Sequence, residues 1–130
     1  MHALVVDDSP SMRAILKRTL SERAFDVTTA GNGSDALTAM AQLAPDLVLI
    51  GWNMPGMNGF ELLREIRRQS RYRAVKLIMV TSEANEAEMA HALAGGADEY
   101  IMRPFIPDVL YDKLRVAGLP VPHAEAVECV

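Results

Sequence analysis

The only cysteine in this 130-residue chain is Cys129, next to the last position, so no disulfide can form within it. That scarcity fits a reducing compartment, and a cytoplasmic protein is expected. Apolar runs are short, and none approaches the roughly 20 residues that a membrane-spanning helix needs. The chain opens directly into a strand pattern, with no secretory leader expected. Basic charge is not in surplus either. Thirteen Lys and Arg against seventeen Asp and Glu leave a formal net charge of −4, with no footprint for nucleic acid or an anionic membrane. Arg64, Arg67, Arg68, Arg71 and Arg73 do cluster, but Glu61 and Glu65 interleave with them, as on a solvated helix face. His2, His91 and His123 lack metal-ligand spacing. No Ser-His-Asp set, Walker-type phosphate loop, repeat or low-complexity segment is visible.

What the chain does have is alternation. Half of its residues are hydrophobic, enough for one substantial core in a single domain. Short apolar runs at 3–6, 26–30, 47–50, 76–80 and 99–102 suit strands buried on both faces of a parallel sheet. Helical periodicity fills the gaps. Met12, Ile15, Leu16, Thr19 and Leu20 form one stripe, with Ser9 as N-cap and Pro10 in the first turn. Ala36, Leu37, Met40 and Leu43 form a second, after an Asn32-Gly33 turn. Leu62, Leu63 and Ile66 form a third, and Met89, Ala90 and Leu93 a fourth that stops at Gly95-Gly96. Val109, Leu110 and Leu114 form a short fifth, begun by Pro107-Asp108. Methionines at this spacing read as core filler. The order predicts an α/β fold, a doubly wound five-stranded parallel sheet with right-handed crossovers and five helices. Residues 118–130, GLPVPHAEAVECV, break the pattern with two prolines. The domain is therefore expected to span 1–117, with 118–130 a C-terminal tail or the start of a linker.

In such a fold, the loops after the first, third, fourth and fifth strands gather at the sheet's C-terminal edge, where ligands bind. They carry Asp7-Asp8, Gly51-Trp52-Asn53, Thr81-Ser82 and Arg103-Pro104. Adjacent acids repel, and a hard cation such as Mg²⁺ between their oxygens relieves this. Equally, such a pair favours the positive end of the following helix. Gly51 is the odd member, because glycine brings backbone freedom and no reactive group.

The segments LVVDDSPSMR, AGNGSDAL, PDLVLIGWNMPGMNGFELL, VTSEA and GADEYIMRPF, in this order, resemble the receiver domain of two-component response regulators, especially the small chemotaxis type. The resemblance implies the flavodoxin-like strand order 2-1-3-4-5. It also implies roles. Asp8 resembles a direct Mg²⁺ ligand, Asp7 one acting largely through water, and the Asn53 backbone carbonyl a further ligand. Thr81 is similar to the hydroxyl that binds an incoming phosphoryl oxygen, and Tyr100 to the aromatic switch that follows it inward. Pro104 matches the proline that follows a cis peptide. Read from the residues alone, Thr81 is equally a strand-end hydroxyl capped by the backbone, and Tyr100 a half-buried strand aromatic. Trp52 is expected on the rim of the site.

Two positions depart from the family. Gly51 stands where the family has the aspartate that receives phosphate, and Arg103 where it has a lysine. Aspartyl phosphate formation needs a carboxylate nucleophile, so the phosphoacceptor position is read as vacant. The same loss removes a metal ligand, and Mg²⁺ binding through Asp7, Asp8 and the Asn53 carbonyl is expected to be weak or absent. Arginine's planar fork favours carboxylates. Arg103 is thus expected to enter the space above Gly51 and pair with Asp8 or Asp7, the alternative being that it points to solvent.

The expected function is a receiver module of a two-component phosphorelay that lacks the phosphoacceptor aspartate, and it is not expected to be an enzyme. Such a pseudo-receiver would act by contact with a sensor histidine kinase or other signalling proteins. The contact surface would be the fourth helix, fifth strand and fifth helix, with no nucleic acid or membrane involved. A natural phosphorylation-independent receiver and an engineered phospho-dead variant both fit. The alternative from another class is a metal-dependent phosphatase with Asp7 or Asp8 as nucleophile. The weak metal set and Arg103 argue against it.

Overall fold

Strands β1 (His2–Val6), β2 (Asp26–Ala30), β3 (Leu47–Gly51), β4 (Lys76–Thr81) and β5 (Glu99–Met102) make one parallel sheet in the order β2-β1-β3-β4-β5. The computed structural model describes residues 1–82 and 86–123; residues 83 and 84 of the VTSEA motif, and 124–130 with Cys129, lie outside them. Helices α1 (Pro10–Ser21), α2 (Gly33–Leu43), α3 (Gly59–Arg68), α4 (Glu86–Ala94) and α5 (Pro107–Val116) follow the strands in turn. This is the flavodoxin-like topology that the alternation and the motifs predict. No helix among the described residues is long and apolar enough to cross a membrane.

Strand residues alternate between two cores, as a two-residue pleat requires. Leu4, Val6, Val48, Ile50, Leu77 and Met79 face α2, α3 and α4, and pack on Ala36, Met40, Leu62, Leu63 and Ile66. Ala3, Val5, Leu47, Leu49, Ile78 and Val80 face α1 and α5, and pack on Leu16, Leu20, Leu110 and Leu114. Each fully buried Leu or Ile contributes about 1.5–3 kcal/mol of burial free energy. Burial on both faces holds for β1, β3 and β4. It fails for both edge strands: in β2 Asp26 and Thr29 are exposed, and in β5 only Ile101 is buried.

The helix starts follow local chemistry. Ser9 Oγ accepts from the Met12 N–H at 3.2 Å, and Asn32 caps α2 through the Asp35 N–H at 2.8 Å. Asn58 and Glu61 form a reciprocal capping box on α3. Four stripes differ from expectation: in α2 and α5, Leu43 and Val109 are 36% and 40% exposed. The buried residue of α4 is Ala92, while Leu93 is 42% exposed, so the helix meets the core through a small side chain. In α1, Ile15 turns outward and is 54% exposed.

The arginine cluster also divides. Arg64, Arg68, Arg71 and Arg73 are exposed, as on a solvated face. Arg67 instead donates to the Gly96 carbonyl at 2.8 Å, the Tyr72 carbonyl at 3.0 Å and Asp98 Oδ2 at 2.8 Å. Asp98 Oδ2 also accepts from the Leu77 N–H at 2.8 Å. One guanidinium thereby ties α3 to β4 and to the turn before β5. Beyond α5, Leu119 and Val121 are buried in the core beneath α1 and α5, and Arg115 donates to the Val121 carbonyl at 3.2 Å and the Pro122 carbonyl at 3.3 Å.

Candidate functional site

The tips of β1, β3, β4 and β5 bring the predicted residues to one edge. Asp7 continues β1 by donating its N–H to the Ala30 carbonyl at 3.1 Å. Val6 pairs with Ile50, so the next step sets Asp7 beside Gly51. Both are buried, Asp7 at 4% exposure. The Ser9 N–H donates to Asp7 Oδ1 at 2.9 Å, and Arg13 Nη1 donates to the Asp7 carbonyl at 2.7 Å. The second carboxylate oxygen lies in the volume that a side chain at 51 would need. A Cβ built on Gly51 would stand 2.7 Å from Asp7 Oδ2, 3.2 Å from Asp7 Cγ and 3.3 Å from the Val6 carbonyl oxygen. Glycine at 51 therefore makes room for its neighbour's carboxylate.

A second glycine is required here for a different reason. Gly59 opens α3 against the tip of β3 and donates its N–H to the Trp52 carbonyl at 2.9 Å. A Cβ at 59 would run into the Gly51 carbonyl oxygen.

Arg103 does not enter the space above Gly51. Among the described residues it makes no ion pair with Asp7 or Asp8. That volume instead holds Asp7 Oδ2, whose partner oxygen accepts from the Ser9 N–H. The Arg103 N–H donates to the Thr81 carbonyl at 2.7 Å, and the Arg103–Pro104 peptide is cis. The side chain lies half-buried along a groove beside α1, and its Nε is closed to water without a hydrogen-bond partner. It is neither paired with the acids nor fully in solvent. The cation that does reach Asp7 is Arg13, which the sequence reading passed over. Its only prior signal was its place one turn after the Ser9-Pro10 helix start.

The remaining residues spread around this centre. Thr81 is buried at the end of β4 and pairs with Met102 of β5. Tyr100 is half-buried on edge strand β5, with Lys113 Nζ 4.8 Å from its ring centroid. Asp8 and Asn53 are exposed. Trp52 is half-buried, its ring 6.1 Å from that of Phe60.

Receiver domains in general bind Mg²⁺, which prefers six oxygens in near-octahedral geometry. The oxygen donors at this edge are the Asp7 and Asp8 carboxylates and the Asn53 carbonyl. One Asp7 oxygen is committed to Ser9 and the other lies over Gly51. Among the described residues no group of three or more acidic, His or Cys side chains could share an ion.

Comparison with known proteins agrees with this fold. The family pattern described as "Response regulator receiver domain" matches residues 3–115. The "Chemotaxis protein CheY1" of Helicobacter pylori is 45% identical over 118 residues, 89% of this chain and 95% of that protein. The "Chemotaxis protein CheY homolog" of Campylobacter jejuni is 44% identical over 116 residues, 88% of this chain and 89% of that protein. The solved structure of Vibrio cholerae chemotaxis protein CheY4 superposes with a TM-score of 0.83 at 33% identity, covering 88% of this chain and 95% of that one. Such domains are signalling modules that interact with histidine kinases and other signalling proteins. With its strand order, the family match over residues 3–115 and these relatives in agreement, the chain belongs to the response regulator receiver family.

Proposed function

We propose that this receiver does not take phosphate at residue 51 and signals through protein contact alone. The observation that carries the reading is the Asp7–Gly51 juxtaposition. The phosphoacceptor position bears no side chain, and Asp7 Oδ2 lies 2.7 Å from where its Cβ would be. A metal-dependent route through the same edge is disfavoured, because the carboxylate that the family places at position 51 is absent and Asp7 Oδ1 is already bonded to the Ser9 N–H. In this reading Asp7, Asp8 and the Asn53 carbonyl are a relic metal site, and Thr81 and Tyr100 keep the positions of a phosphate-responsive relay.

The contact surface is α4, β5 and α5, where Leu93, Met102 and Val109 are 42%, 38% and 40% exposed. A sensor histidine kinase or another signalling protein of the cytoplasm is the partner class, and the receiver unit is taken as residues 1–117, with Leu119 and Val121 of the following segment packed on its core. The test is incubation with acetyl phosphate and Mg²⁺, followed by intact mass and hydroxylamine sensitivity. No mass gain is expected. Stoichiometric phosphate on Asp7, Asp8, Thr81 or Ser82 would overturn the proposal.

A further inference from the structure

A groove of about 500 Å³ runs between α1 and the loop joining β5 to α5, lined by Met12, Ile15, Ser82, Arg103, Phe105 and Pro107 among others. Its size lies within the usual span of small-molecule sites, roughly 300–1,000 Å³. Its walls have the matching chemistry. Met12 and Phe105 are half-buried on the core beneath α1 and α5, and Ile15 stays 54% exposed. The Thr19 hydroxyl is already committed, donating to the Ile15 carbonyl at 2.8 Å. Among the described lining residues, Arg103 alone carries a charge. Among the described residues it has no carboxylate partner, and its Nε is closed to water and unbonded. A closed-off donor without an acceptor is costly, and an anion beside it relieves that cost.

We propose that this groove binds a small organic monoanion, with its carboxylate on the Arg103 guanidinium and an aliphatic or aryl body against Met12, Ile15 and Phe105. One guanidinium balances one negative charge, and its planar fork matches a carboxylate. The proposal does not depend on whether residue 51 can take phosphate. It does give such a ligand a route to the relay. The Arg103 N–H is bonded to the Thr81 carbonyl at 2.7 Å, so an occupant that moves Arg103 acts on the tip of β4.

Titration of the full chain with octanoate below its micellar range, followed by ¹H–¹⁵N NMR, tests this. Saturable shifts are expected at Met12, Ile15, Ser82 and Phe105. Octan-1-ol and octylamine should bind at least about tenfold more weakly, and Arg103→Gln should weaken octanoate about tenfold, or ~1.4 kcal/mol. Arg103→Lys should restore part of that loss, and Ile15→Glu should abolish saturation while the rest of the spectrum stays folded. The proposal is overturned if no saturable shift appears, or if Arg103→Gln or octan-1-ol behaves like the parent pair. Tighter binding of octyl phosphate would overturn the monoanion assignment. Groove shifts that follow protein concentration alone would make a second copy the occupant, and would also overturn it. The acetyl phosphate experiment is independent of all these outcomes.

Discussion

Putting a side chain back at position 51 should cost stability in two separable steps. Gly51→Ala places a methyl where Asp7 Oδ2 now lies, 2.7 Å from the Cβ position. The carboxylate must turn away from Ser9, and a hydrogen bond to a charged acceptor is worth about 1.5–3 kcal/mol. Restricting the unfolded chain offsets about 0.4–1 kcal/mol of that. The net loss is then about 0.5–2.5 kcal/mol. Gly51→Asp adds a second carboxylate beside a buried one. At about 4 Å and an effective dielectric near 20, their repulsion adds about 4 kcal/mol. The total approaches the whole stability of an ordinary domain, about 5–15 kcal/mol.

A divalent cation between the two carboxylates should reverse most of the second step and little of the first. The assay is urea unfolding at neutral pH of the parent chain, Gly51→Ala and Gly51→Asp, each with and without excess MgCl₂. The double variant Asp7→Asn/Gly51→Asp should recover stability without metal. If Gly51→Asp matches Gly51→Ala to within about 0.5 kcal/mol in the absence of Mg²⁺, the carboxylate of Asp7 does not occupy the space above residue 51.

Three further outcomes can be measured on the parent fold. Arg67→Ala removes the donor shared by Gly96, Tyr72 and Asp98 and should cost about 2–4 kcal/mol by denaturant unfolding, whereas exposed Arg64→Ala should stay within about 0.5 kcal/mol. Burial raises the Tyr111 phenol above its ordinary pKa of 10.0, so the folded state keeps its proton where the unfolded state loses it. Stability from this group is complete below about pH 10 and should fall as pH rises from there towards the folded pKa, and Tyr111→Phe should flatten that alkaline limb. Trp52 follows Gly51 directly, and its fluorescence should show no saturable Mg²⁺ response at cellular concentrations; saturation in the parent chain would mean that Asp7 and Asp8 suffice as ligands.

The strands were legible because three of them are buried on both faces, and each run is apolar throughout. Only His2 at the start of β1 and the last residues of β3 and β4, Gly51 and Thr81, extend past the predicted bounds. The edge residues were legible too, since the parallel order alone gathers the loop after each strand. What one-dimensional spacing could not supply was competition for volume. Arg103 was the residue expected in the space above Gly51, and the Asp7 carboxylate, held by Ser9, lies there instead. Arg13 folds back onto a main-chain carbonyl, which no pairing of charges in the sequence signals. Arg67 looked like its four neighbours because its partners lie at residues 72, 96 and 98, outside its own helix. Helix α4 was misread because Met89 and Leu93 outweigh Ala92 in hydropathy, while Ala92 is the residue that is buried.

Helix α5 starts at the edge that carries Arg103 and runs back across the sheet. Gly118, just past its end, lies by the start of β4, where an added Cβ would be 3.7 Å from Lys76 Cε. His123, exposed and shortly after the buried Val121, therefore lies towards the edge opposite the strand tips. The one tryptophan of the chain follows Gly51 at the other edge. Six residues of strand separate the two edges, about 20 Å. With Cys129 replaced and a cysteine introduced at 123 to carry an acceptor dye, energy transfer from the indole becomes a ruler spanning the sheet. The label would stand away from both the Asp7 carboxylate and the Arg103 groove, so a change in transfer would report movement passed through the fold rather than a dye pressing on either place.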